Sequence, residues 1–240
     1  MMSGVFHRGD AEENLHKKGL FFAPLRLCGE KMLGTEVGVV KTMSQILCIT
    51  CSVFRPELTV LQQQGHLDFP IRYLDSNLHM VPAALHERMS ALLEYERKRG
   101  RRVLLLYGDC HAYMADVGAS PNVVRVQGAN CCEILLGRTH YKQLFKERAF
   151  YLFPEWALRW QEILGRLSDL DEQSTVELLR DMHAKLIYLD TGALPVPEKE
   201  LQACSEYFGL PCEVLRVSLH HFLTGIHNAV NALENRSNSA

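Results

Sequence analysis

Cysteine recurs in this chain where apolar runs stop, a placement that suits thiol or metal chemistry. The run Val103-Leu104-Leu105-Leu106-Tyr107 breaks at Gly108 and then presents Asp109, Cys110 and His111, an acid, a thiol and an imidazole in succession. Gln45 to Thr50 ends in Cys51, and Val123 to Val126 leads through Gly128 and Asn130 to Cys131 and Cys132. Thiols from three strand ends can meet at one edge of a parallel sheet, because ligands of such sheets collect beyond the carboxyl ends of the strands. Soft thiolates suit an iron–sulfur cluster or, as the alternative, zinc, and three protein ligands leave one position open. The expected ligands are Cys51, Cys110 and Cys131 or Cys132. His79 or His111 would be the fourth ligand or a proton donor, with Asp109 as the acid beside it. His79, Tyr107 and Gly108 are the expected cofactor contacts. A metal-free thiol enzyme is the rival reading. Asn130 reads as a helix N-cap, which puts Cys131 and Cys132 in a first turn whose unpaired N–H groups and dipole favour a thiolate nucleophile. A partner-binding scaffold without chemistry is the third reading.

The elements that must hold these residues alternate along the chain. Strands are predicted at about 45–51, 69–74, 102–107, 123–126, 149–153, 185–189 and 213–217, each a short apolar run bounded by turn residues. Pro56 opens a helix to Gly65, a long helix runs from Leu78 to about Arg99, and further helices follow Asn130, Gly137 and Pro154. Trp156, Trp160 and Leu164 stand four apart on one face and read as core. Ser174-Thr175-Val176-Glu177 resembles a capping box opening a helix to about Met182. The last helices are predicted at 197–208 and 219–234. This alternation argues for a doubly wound α/β domain over residues 43–234, with a mainly parallel sheet of about six to seven strands and helices on both faces. Residues 1–42 read as an N-terminal extension expected to be disordered, and 235–240 as a frayed tail. Cys48 and Cys51 do not read as a chelate, since residues three apart on a strand point to opposite faces. Cys204 and Cys212 read as structural.

Composition narrows the field. The chain has 240 residues, 47% of them hydrophobic and 22% charged, with a net charge of −2 and no basic stripe, so neither DNA nor RNA is an expected partner. No run approaches the roughly 20 apolar residues of a membrane span, and no secretory signal is evident, so the expected location is cytoplasmic. Eight cysteines without a secretion signal argue against a disulfide framework. The sequence holds no P-loop, no GxGxxG after a strand, no GxSxG elbow and no HExxH helix.

With its motifs placed, the chain resembles the domain of unknown function 1638 family. The resemblance rests on Cys51 followed by Glu57-Leu58, on Leu78-His79 with Pro82, on Tyr107-Gly108-Asp109-Cys110, and on Asn130-Cys131-Cys132 leading to Leu135-Leu136-Gly137. Tyr151-Leu152 followed by Glu155-Trp156, and Asp190-Thr191-Gly192, extend it over about residues 44–233. Members are often encoded near corrinoid-dependent methyltransferases. The resemblance therefore implies a place in corrinoid-linked methyl or one-carbon metabolism, with a corrinoid protein or methyltransferase as partner and any corrinoid held through that partner. The doubled cysteine at 131 and 132 departs from the family's usual pattern.

Overall fold

Residues 46–110, 114–117, 120–164 and 171–237 are described by the computed structural model. His111, the extension 1–42 and residues 238–240 lie outside the described residues. The described strands are all parallel and fall into two sheets rather than one continuous sheet, the first in the order β2-β1-β3-β4 and the second β5-β6-β7.

The first sheet forms from the most apolar runs of the chain. β1 (Ile46–Cys51) is buried at all six positions, as expected of a strand covered on both faces. A 3-10 turn, Ser52–Phe54, passes the chain to α1 (Arg55–Gln63), where Pro56 tolerates the first turn because its missing N–H would have no helical partner. β2 (Ile71–Leu74) pairs with β1 on one side, and β3 (Arg102–Leu106) pairs with it on the other. Between them lie a 3-10 turn, Ser76–Met80, and α2 (Pro82–Lys98). The long helix thus begins at Pro82 rather than Leu78, which leaves His79 in the turn. After α3 (Met114–Val117), β4 (Val123–Arg125) pairs with β3. The chain leaves β1 toward β2 but leaves β3 toward β4, so the connections diverge between the ends of β1 and β3. Such a switch point is where open parallel sheets hold their ligands.

α4 (Cys131–Leu136) and α5 (Arg138–Phe145) lead into the second sheet, formed by β5 (Ala149–Leu152), β6 (Lys185–Asp190) and β7 (Cys212–Arg216). The predicted helix after Pro154 is broken into α6 (Pro154–Leu158) and α7 (Trp160–Leu164), because Arg159 between them leaves helical geometry at φ −123°, ψ 23°. The break separates the two tryptophans. Trp160 is buried among the side chains of the second sheet, whereas Trp156 packs at its border with the first. α8 (Glu172–Met182) is capped by Asp171, whose carboxylate accepts from the Ser174 N–H at 3.0 Å. Ser174 is therefore the third residue of the helix and not its cap. α9 (Glu198–Phe208) precedes β7, and α10 (His220–Ser237) then returns to pack on β3, β4 and α4. One apolar cluster runs from β1 and β3 through Phe222 and Ile226 of α10 to Ile187 and Leu189 of β6, so the two sheets share a core. Among the described residues no helix is long and apolar enough to cross a membrane.

Candidate functional site: a thiol-lined cavity

The parallel register sets the strand ends of the first sheet level, with Cys51 opposite Leu74 and Thr50 opposite Leu106. The residues that follow each strand therefore emerge at one edge. They line a cavity of about 400 Å³, with Cys51, Asp75, Tyr107, Cys110, Cys131 and Cys132 on the side of the first sheet. The opposite wall comes from β5 and the start of α6, chiefly Phe150, Tyr151, Phe153 and Trp156. His79 also lines the cavity, its ring 5.4 Å from that of Trp156.

Cys131 is the centre of the thiol group. The neighbouring thiols of Cys110 and Cys51, with burial, hold the Cys131 thiol well above the usual range. The Cys131 thiol is the largest influence on Cys110 and pulls the Cys110 thiol down against burial and the Asp109 charge. Cys132 also lines the cavity, but burial pushes it up to about 12. Asn130 caps α4 as the sequence indicates, its side chain accepting from the Glu133 N–H at 2.9 Å. The expected thiolate at the helix start does not follow. α4 has six residues, and the neighbouring thiols and burial outweigh its dipole. The easily ionised thiol is Cys110, one strand away.

The other expected site residues separate. His79 and Tyr107 line the cavity, and burial pushes His79 down from the usual histidine range and Tyr107 upward. Asp109 and Gly108 do not line it. The Asp109 carboxylate is half exposed and ion-paired with Arg125, while its N–H donates to the Ala129 carbonyl at 2.7 Å. Gly108 allows that close approach of the loops after β3 and β4. A Cβ there would stand 2.4 Å from the Asn130 Cα. Cys48 is fully buried in the core, away from the cavity, and no disulfide joins the described cysteines. The Asp190-Thr191-Gly192 turn also lies off the cavity, where Thr191 donates to Glu57 at 2.9 Å. Among the described residues, no group of three or more His, Cys, Asp and Glu side chains is arranged to hold a metal ion.

Sequence reasoning missed the groups that fasten the cavity's two sides. Glu155 of α6 accepts from Ser52 at 3.4 Å and from Ser76 at 3.2 Å, and the Ser76 N–H donates to the Ser52 hydroxyl at 2.9 Å. Arg159 pairs with the same carboxylate. This cluster ties the exits of β1 and β2 to the second sheet, immediately beside Cys51 and Trp156. Glu155→Ala should cost about 2 kcal/mol, below the full cost of breaking a buried pair because Arg159 is partly exposed. Urea unfolding measures it as a lower midpoint at unchanged slope. A loss under about 0.5 kcal/mol would mean that the cluster fastens nothing.

Fold and site together define a parallel α/β protein with a thiol-lined cavity at a topological switch point. Within that class, the chain belongs to the family described as protein of unknown function (DUF1638), whose model matches residues 73–226. The matched stretch holds His79, Tyr107, Cys110, Cys131 and Cys132, and Cys51 precedes it. No curated protein and no solved structure matches the chain.

Proposed function

We propose that Cys51, Cys110 and Cys131 form a thiolate site for a soft metal centre, iron–sulfur first and zinc as the alternative, serving corrinoid-linked methyl or one-carbon chemistry. The observation that carries the reading is the convergence of three sulfurs from three separate strand ends on one cavity. Tetrahedral thiolates about 2.3 Å from one metal stand about 3.8 Å apart. The three side chains would have to draw together into that arrangement on binding, and a bound cation would favour their deprotonated forms. The corrinoid partner rests on the family resemblance, and co-purification with a corrinoid protein tests it.

A second reading has its own support. With no metal, the depressed Cys110 thiol is the better nucleophile, in place of Cys131 or Cys132, both of which are pushed up. One experiment separates the two. Anaerobically purified protein is analysed for metal and then alkylated at pH 7 with and without a chelator. About one equivalent of metal or cluster, with thiols protected until chelation, supports the centre. Less than about half an equivalent, with Cys110 reacting roughly tenfold faster than Cys131 or Cys132, overturns it in favour of the nucleophile.

A further inference from the structure

The cavity carries information about its occupant beyond the sulfurs. Its far wall is aromatic, with Phe150 stacked on Trp156 at 6.4 Å between ring centres and Phe153 edge-on to the same indole at 6.1 Å. Three lining residues hold buried polar groups with no hydrogen-bond partner among the described residues, the hydroxyls of Tyr107 and Tyr151 and the indole N–H of Trp156. Native proteins seldom leave such groups unmatched, because each forfeits the hydrogen bond it would make in water. All three can donate, and the indole can do nothing else. Among the described residues no lysine or arginine lines the cavity. Its basic side chains are the imidazoles of His79 and His183, which carry no fixed charge. A phosphorylated or carboxylated ligand would surrender its hydration here without meeting a cation.

We infer that the cavity, which Asp75 also lines, binds a ring-containing ligand with hydrogen-bond acceptors and no anionic group, packed against the Phe150–Trp156 pair, its acceptors taking up the Tyr107, Tyr151 and Trp156 donors. The volume of about 400 Å³ suits a compact ligand of two or three rings. Tyr107 lines the same cavity as Cys51, Cys110 and Cys131, so a ligand bonded to its hydroxyl shares that space with the sulfurs. The inference goes beyond the metal reading and holds whether or not the thiols carry a metal, since it rests on the walls alone.

The test uses the full chain and a matched pair of probes, 2-acetylnaphthalene and 2-naphthoate, which share a ring system and differ in charge. The readout is the indole N–H resonance of Trp156 in nitrogen-15 spectra, with Trp160, buried against Tyr207 and Phe208, as internal control. The ketone should shift the Trp156 signal saturably with a Kd below about 1 mM, leave Trp160 in place, and bind at least about tenfold more tightly than the carboxylate. Tyr107→Phe and Tyr151→Phe each remove one hydroxyl and little else, and at least one should weaken the ketone about three- to tenfold. Equal or tighter binding of 2-naphthoate overturns the inference. So does the absence of any Trp156 shift, or a ketone affinity indifferent to both hydroxyl deletions. Metal content, measured separately, leaves these outcomes unchanged and keeps the two proposals apart.

Discussion

Gly108→Ala should cost about 3 kcal/mol or more and part Cys110 from Cys131. The added Cβ would stand 2.4 Å from the Asn130 Cα and 2.9 Å from both the Ala129 carbonyl oxygen and the Asn130 carbonyl carbon. All three are backbone atoms, so no side chain can swing away, and either the loop after β3 or the loop after β4 must move. Overpacking commonly costs about 1–3 kcal/mol, and an obstruction made of backbone belongs at or above the top of that range. The Asp109 N–H bond to the Ala129 carbonyl breaks first. The influence of Cys131 that holds the Cys110 thiol down is lost with it, because the same loops carry both. Denaturant unfolding should show the loss of stability, and the alkylation rate of Cys110 at pH 7 should fall toward that of an ordinary thiol. Asn130→Ala, which removes only the α4 cap at about 1 kcal/mol, provides a milder displacement of the same loop if the alanine variant does not fold. A Gly108→Ala protein within about 1 kcal/mol of the parent, with Cys110 as reactive as before, would show that the loops do not need this close approach.

What could be read from the sequence, and what could not, follows from the range over which each signal acts. β1 and β3 were legible because six and five consecutive residues with little polar character admit few alternatives to a strand covered on both faces. The gathering of Cys51, Cys110 and Cys131 was legible for the same reason, since parallel strands in register bring their exits to one edge. The division into two sheets was not legible, because a buried strand has the same composition whichever neighbour it pairs with. The aromatic wall was hidden in a similar way. Phe150 and Trp156 show the periodicity of core residues, and a cavity wall is core with one side missing. The choice between Cys131 and Cys132 turns on a rotation of about 100° around a helix, which spacing alone does not decide. Glu155 and its serines, 79 and 103 residues away, form a cluster that no local pattern encodes.

Glu57 is the most deceptive case and yields the second large effect. An acid in the first turn of a helix ordinarily faces water and the unpaired N–H groups, which would lower its pKa. Here the side chain is fully buried. Burial pushes its pKa up from 4.5 to about 7, against the opposing influence of its hydrogen bonds, and the negative charge of Glu155 adds to the rise. Its Oε1 accepts from Thr191, and its Oε2 has no hydrogen-bond partner among the described residues. Between pH 4.5 and 7 the folded chain therefore holds a proton that the unfolded chain has released. The stability tied to that proton is complete below pH 4.5 and is lost as pH rises through 7, a fall of about 3 kcal/mol. Glu57→Gln keeps the acceptor for Thr191 and cannot ionise. The variant should match the parent near pH 4 and exceed it by about 3 kcal/mol at pH 8, a large share of the stability of an ordinary domain. His79 and His183, both held low by burial, cost stability as pH falls below about 6.5, but they act equally in both proteins and cancel in the difference. Urea midpoints at half-unit pH steps give that difference directly. Parallel curves for the two proteins from pH 4 to pH 8 would mean that Glu57 is ionised in the folded chain, with its charge compensated by a partner that the buried setting does not reveal.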